Sequence, residues 1–70
     1  MKDLAAKLGS KLREVRKEKG ISQDKLALLA DIDRSYVGRI ERGEVNITLE
    51  KVYGLARALE CNVVELLPDL

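Results

Sequence analysis

Apolar residues recur at helical spacing in successive stretches of the chain, and polar residues fill the intervals. From Asp3 to Lys19, the residues Leu4, Leu8, Leu12 and Val15 share one narrow arc while Lys and Arg occupy the remainder, which predicts a first helix. Gly20 ends it, in the left-handed conformation that glycine adopts without strain. Gly9 lies inside this stretch and costs up to about 1 kcal/mol relative to Ala, so the helix is expected to weaken or begin near it. Ser22 is an N-cap for a second helix, Gln23 to Ala30, with Asp24 complementing its dipole. Leu26, Ala27 and Ala30 are expected inward, and the two alanines permit close approach of the next helix. Leu28 and Leu29 fall off that arc and are expected to cover Tyr36 or helix one.

The corner Asp31-Ile32-Asp33 sets an apolar residue between two turn-forming acids, and Asp31 stands where a left-handed backbone is expected. Asp33 caps a third helix running from Arg34 to about Arg42, closed by Gly43. Thr48 caps a fourth to about Leu59, with Leu49, Val52, Leu55, Ala56 and Leu59 as its stripe. Asn62 and Glu65 have capping-box spacing for a short last helix, with Val63, Leu66 and Leu67 on one face and Pro68 as its stop. No strand pattern or repeat interrupts this order. The expected fold is all-α, a compact five-helix domain spanning residues 1–70, in which helices two and three form a helix-turn-helix.

The third helix divides its residues by chemistry. Val37, Ile40 and Glu41 fall on one arc; Arg34, Ser35, Gly38, Arg39 and Arg42 fall on the other. A solvated charged face is the ordinary fate of such residues. Here, however, the outer arc carries Arg three times and Lys never, and the guanidinium fork fits guanine edges and phosphates. Gly38 either lets backbone approach a groove closely or is a tolerated helix defect.

Charge and composition narrow the classes. Formal net charge is only +1, but residues 1–21 carry seven Lys/Arg against three Asp/Glu, whereas residues 47–70 carry two against four. A basic N-terminal part can approach a polyanion while the acidic end faces away. With no His and a single Cys, neither an internal disulfide nor a Cys/His metal cluster is available, and Cys61 reads as a small half-buried apolar residue between helices. No nucleophile beside a base and no phosphate-cradling Gly loop is present, so neither an enzyme, a cofactor nor a small-molecule ligand is expected. The longest apolar run, Leu26 to Ala30, is too short for a membrane span or secretory signal, and a cytoplasmic protein is expected.

The ordered set Ser22-Gln23, Leu26-Ala27, Ile32, Val37, Ile40-Glu41-x-Gly43, Leu49 and Leu55-Ala56-x-x-Leu59 resembles the phage repressor/Cro type helix-turn-helix family. Within it, the run DRSYVGRIERG with Asn46 and Leu49 is most similar to the controller proteins of restriction–modification operons. Asp31 and Glu60 depart from the family by standing where Gly is common at a turn. The resemblance implies a transcriptional regulator that binds a palindromic operator as a homodimer, with recognition helices about 34 Å apart in successive major grooves. It also implies base readout by Arg34, Ser35, Gly38 and Arg39. Phosphate contacts are implied for Ser22, Gln23, Arg42 and Asn46, whereas Tyr36 either touches DNA backbone or packs. Arg16 and Glu41 match a family ion pair, and both flank apolar arcs, so the pair is expected to be partly buried. A phage-type repressor or an autoregulating antitoxin is the alternative within this class. The rival of another class is a helical protein-interaction module, against which the three outer Arg residues speak, since such a groove favours apolar anchors.

The C-terminal part carries more apolar residues than a monomer of this length covers. Tyr53 at the edge of the fourth helix, Val64 off the last apolar arc, Leu67 and Leu70 are expected to form a two-fold contact. The alternative is that Leu67 and Leu70 fold back over helix one.

Overall fold

The computed structural model describes residues 3–69. Its elements follow the chain as α1 (Leu4–Glu18), α2 (Gln23–Ala30), α3 (Arg34–Glu41) and α4 (Leu49–Ala58), then a single 3₁₀ turn, Val63–Glu65. The all-α expectation holds, but the fifth helix is reduced to this turn. Asn62 and Glu65 do form the reciprocal capping box, with the Val64 amide donating to Asn62 Oδ1 at 2.9 Å. Pro68 then disfavours helical backbone at Leu67, leaving too few residues for an α-helical bond.

The caps place the helices. Ser22 Oγ accepts from the Lys25 amide at 3.0 Å, Asp33 Oδ1 from the Ser35 amide at 2.9 Å, and Thr48 Oγ1 from the Lys51 amide at 3.2 Å. Asp31 takes φ 57° and Glu60 φ 54°, so both non-glycine residues occupy the left-handed turns where the family commonly has Gly. At the first of these turns the Ile32 amide returns to the Ala27 carbonyl at 3.0 Å, turning the chain from α2 into α3.

One hydrophobic cluster draws on every helix: Leu12 and Val15 from α1, Leu26 and Ala27 from α2, Val37 and Ile40 from α3, Val52, Leu55 and Ala56 from α4, with Leu59 and Leu66 closing its end. Around it α1 packs on α3, α2 on both α3 and α4, and the C-terminal turn on α4.

Three local expectations fail. Helix α1 runs unbroken through Gly9, which is buried against the end of α3; close packing, not a helix defect, explains the residue. Leu28 is 74% exposed and Leu29 48%, so neither covers Tyr36 or α1. Leu49 opens α4 but is 72% exposed, whereas Val52 and Leu55, the next residues of its stripe, are buried.

Candidate nucleic-acid interface

Helix α3 is pinned at both ends. At its start, Asp33 Oδ1 accepts from both the Ser35 amide and the Ser35 hydroxyl, at 2.9 and 2.8 Å, and these bonds hold the Asp33 carboxyl below its ordinary pKa. At its end, Glu41 is tied to α1: Arg16 Nε donates to Glu41 Oε2 at 2.7 Å and Arg16 Nη2 to Oε1 at 3.2 Å, with side-chain exposures of 11% and 4%. The remaining Arg16 Nη1 donates to the Ile21 carbonyl at 2.9 Å, so the buried guanidinium also anchors the entrance to α2. Removing one partner of such a pair strands the other charge, at about 3–5 kcal/mol.

Between these anchors the outer face of α3 presents Arg34, Ser35, Arg39 and Arg42 to solvent. The three arginines are not equivalent. Arg34 pairs with Asp24 in the first turn of α2, and Arg42 pairs with Glu44, its Nε 2.7 Å from Oε2. Their mutual bond raises the Arg42 pKa and lowers that of Glu44. Arg39 has no carboxylate within ion-pair distance among the described residues.

Gly38 departs from the expected open arc. It is buried, and a Cβ there would stand 3.1 Å from Arg42 Nη1 and 3.8 Å from Gln23 Oε1. Its missing side chain lets Arg42 and Gln23 lie over the backbone of α3. Gln23, half-buried at the start of α2, donates from Nε2 to Glu41 Oε1 at 3.0 Å.

Tyr36 is half-buried against the core, and Lys51 of α4 places its ammonium 5.5 Å from the ring centroid. Asp31, Ile32, Asp33, Ser35, Tyr36, Arg39 and Lys51 line one open cleft of about 470 Å³. Lys51 was not among the residues expected from sequence. Only its place three residues after the Thr48 cap, in the turn of α4 nearest the loop from α3, hints at it. Ser22 and Asn46 are both exposed, the latter in the loop between α3 and α4. Cys61 is half-buried, and burial, then Glu65, pushes its thiol pKa up, which suits a packing residue.

Several large apolar side chains stand exposed on α4 and around the C-terminal turn, among charged neighbours. Tyr53 is 56% exposed and Val64 66%, close in exposure to Leu49. Leu67, 38% exposed, lines a groove with Leu4 and Leu8 of α1, so it leans toward the first helix without being covered by it. Leu70 lies outside the described residues. No helix among the described residues is long and apolar enough to cross a membrane.

Comparison with known proteins agrees with this architecture. A helix-turn-helix family model matches residues 12–66. The control protein C.MunI of a Mycoplasma species is 35% identical, the match spanning 100% of this chain and 96% of that protein. The crystal structure of the restriction–modification controller protein C.AhdI from Aeromonas hydrophila superimposes with a TM-score of 0.86 at 48% identity, over 89% of this chain and 94% of that one. A hypothetical transcription factor from Neisseria gives a TM-score of 0.89 at 40% identity, over 96% of this chain and 78% of that one. With its two capped helices meeting at the Asp31 corner, and with relatives of these kinds along nearly its whole length, the chain belongs to the helix-turn-helix family.

Proposed function

We propose that this chain is a sequence-specific DNA-binding regulator of transcription, that it acts in the cytoplasm as a homodimer on a palindromic operator, and that it controls a restriction–modification operon. The observation that carries the reading is the outer face of α3: a short helix fixed at both ends, bearing Arg39 without a carboxylate partner among the described residues. An Arg so placed donates two bonds to guanine O6 and N7, worth about 1–3 kcal/mol of discrimination. In this reading Arg34 and Ser35 join it at base edges once they leave Asp24 and Asp33, while Gly38, covered by Arg42 and Gln23, makes room for those two side chains rather than facing the groove. Ser22, Gln23, Tyr36, Arg42 and Asn46 hold the register through phosphates. Similarity to controller proteins such as C.MunI and C.AhdI supports the choice of operon.

The apolar strip Leu49, Tyr53, Val64 and Leu67 supplies the two-fold contact, since exposed residues of this size in so small a chain are best buried against their own copy. Binding to duplex DNA across a salt titration tests the class of function. Phosphate contacts make affinity fall steeply as salt rises. Affinity that is absent, or indifferent to salt, would return the chain to the protein-interaction reading.

A further inference from the structure

The geometry around Gln23 points to a role for Glu41 beyond holding α1 to α3. We propose that Glu41 is a positioning residue for DNA contact: its carboxylate fixes which way the Gln23 carboxamide faces and leaves one amide N–H free to donate to a phosphate. This inference rests on the DNA-binding reading above.

The argument is one of donors and acceptors. A carboxamide can turn over, exchanging its oxygen for its nitrogen at little cost on an open surface, and only the nitrogen end can donate to a phosphate oxygen. Glu41 removes that freedom. Its two oxygens are nearly buried and already accept from Arg16 Nε and Nη2, at 2.7 and 3.2 Å. The bidentate guanidinium holds the carboxylate in one plane with both oxygens accepting. Gln23 must therefore offer Nε2 to Glu41 Oε1, as it does at 3.0 Å, because the flipped amide would set oxygen against oxygen. One N–H of the amide is then used and the other remains.

The carboxamide oxygen is left on the Gly38 side, where Arg42 Nη1 also lies. The amide nitrogen of Gln23 thus faces the Glu41 carboxylate, while its oxygen and the Arg42 guanidinium lie over Gly38, the position with no side chain. Arg16 is the root of the arrangement. It reaches from α1 to the Glu41 carboxylate and the Ile21 carbonyl, so the orientation of the amide is set by a residue that need not touch DNA.

A double-mutant cycle separates this role from a purely structural one. Affinity for one duplex is measured for the unmodified protein, Gln23→Ala, Glu41→Gln and the double variant, at a temperature where circular dichroism finds all four folded. Glutamine at position 41 can donate as well as accept, so it no longer dictates the orientation of Gln23. Glu41→Gln is expected to weaken binding about three- to tenfold, the scale of one ordinary net hydrogen bond, with no further loss when Gln23 is already Ala. Should Glu41→Gln not fold, Arg16→Met combined with Glu41→Leu removes both charges together, and the same cycle is run with that pair. An equal loss in both backgrounds, or a Glu41 variant that binds as the unmodified protein does, overturns the proposal. A Gln23→Ala protein of unchanged affinity also overturns it while leaving the DNA-binding reading intact. If the unmodified protein shows no salt-dependent binding, it is the DNA-binding reading that fails.

Discussion

Gly9 in the middle of α1 lies directly against the Ile40 carbonyl at the end of α3. A Cβ at position 9 would also stand 2.7 Å from the Glu41 carbonyl oxygen and 2.9 Å from its carbon, and none of these backbone atoms can step aside as a flexible side chain can. The two helices cross closely here because this position has no side chain, and the crossing brings Arg16 within reach of Glu41.

Gly9→Ala should therefore lower stability although it raises helix propensity. Overpacking costs about 1–3 kcal/mol and outweighs a propensity gain of up to about 1. Gly54→Ala is the control, since nothing lies within 4 Å of a Cβ built there, and it should raise stability by up to about 1 kcal/mol. Denaturant melts of the two variants give opposite signs if this packing is correct. A Gly9→Ala protein as stable as its parent would show that α1 and α3 are not so close.

Acid should weaken the start of α3. Bonds from the Ser35 hydroxyl and amide depress the folded-state pKa of Asp33 below its ordinary value of 3.8. The sign follows from linkage: the unfolded chain binds the proton more readily, so the stabilisation is present above about pH 4 and is lost as pH falls through the lower, folded value. Asp33→Asn keeps a capping oxygen without the titration, so its melting temperature should fall less than that of the parent between pH 5 and pH 2, markers of the range on the order of the carboxylate pKa values. Parallel acid limbs for the two proteins would show that the cap is not formed.

Much of this arrangement was legible in the sequence, and the exceptions have a common cause. Ser22, Asp33 and Thr48 announced their helices because capping is local chemistry between residues two or three apart. The left-handed turn at Asp31 was legible for a similar local reason, since Asp tolerates that backbone, whereas the one at Glu60 was marked only by the family resemblance. Gly9 was misread because propensity sees one helix, whereas the reason for the glycine lies on another. Leu49 fits the periodicity of α4 perfectly well and is nonetheless exposed, since a stripe says which face is apolar but not how far the core extends along it. Lys51 entered the candidate interface, and Gly38 left its open side, through contacts between α3 and other parts of the chain that no spacing rule reports.

The apolar strip gives the dimer its own test. Val64→Glu with Leu67→Glu should yield a folded monomer, because both residues are exposed and the core beneath them, Leu59 and Leu66, is untouched. Its affinity for a two-half-site duplex should collapse, as each half then binds alone. Sedimentation of the parent at micromolar concentration should show the dimer, and a parent that is purely monomeric would contradict this surface.

The central claim is that the outer face of α3 reads base edges, and selection from a random duplex pool with the parent and Arg39→Ala tests it most directly. The parent should enrich a two-fold symmetric sequence with half-sites about one helical turn apart. Arg39→Ala should bind that sequence about 1–3 kcal/mol more weakly and lose preference at one position of each half-site. Enrichment of no sequence by the parent, or the same preferences at every position from both proteins, would contradict the claim.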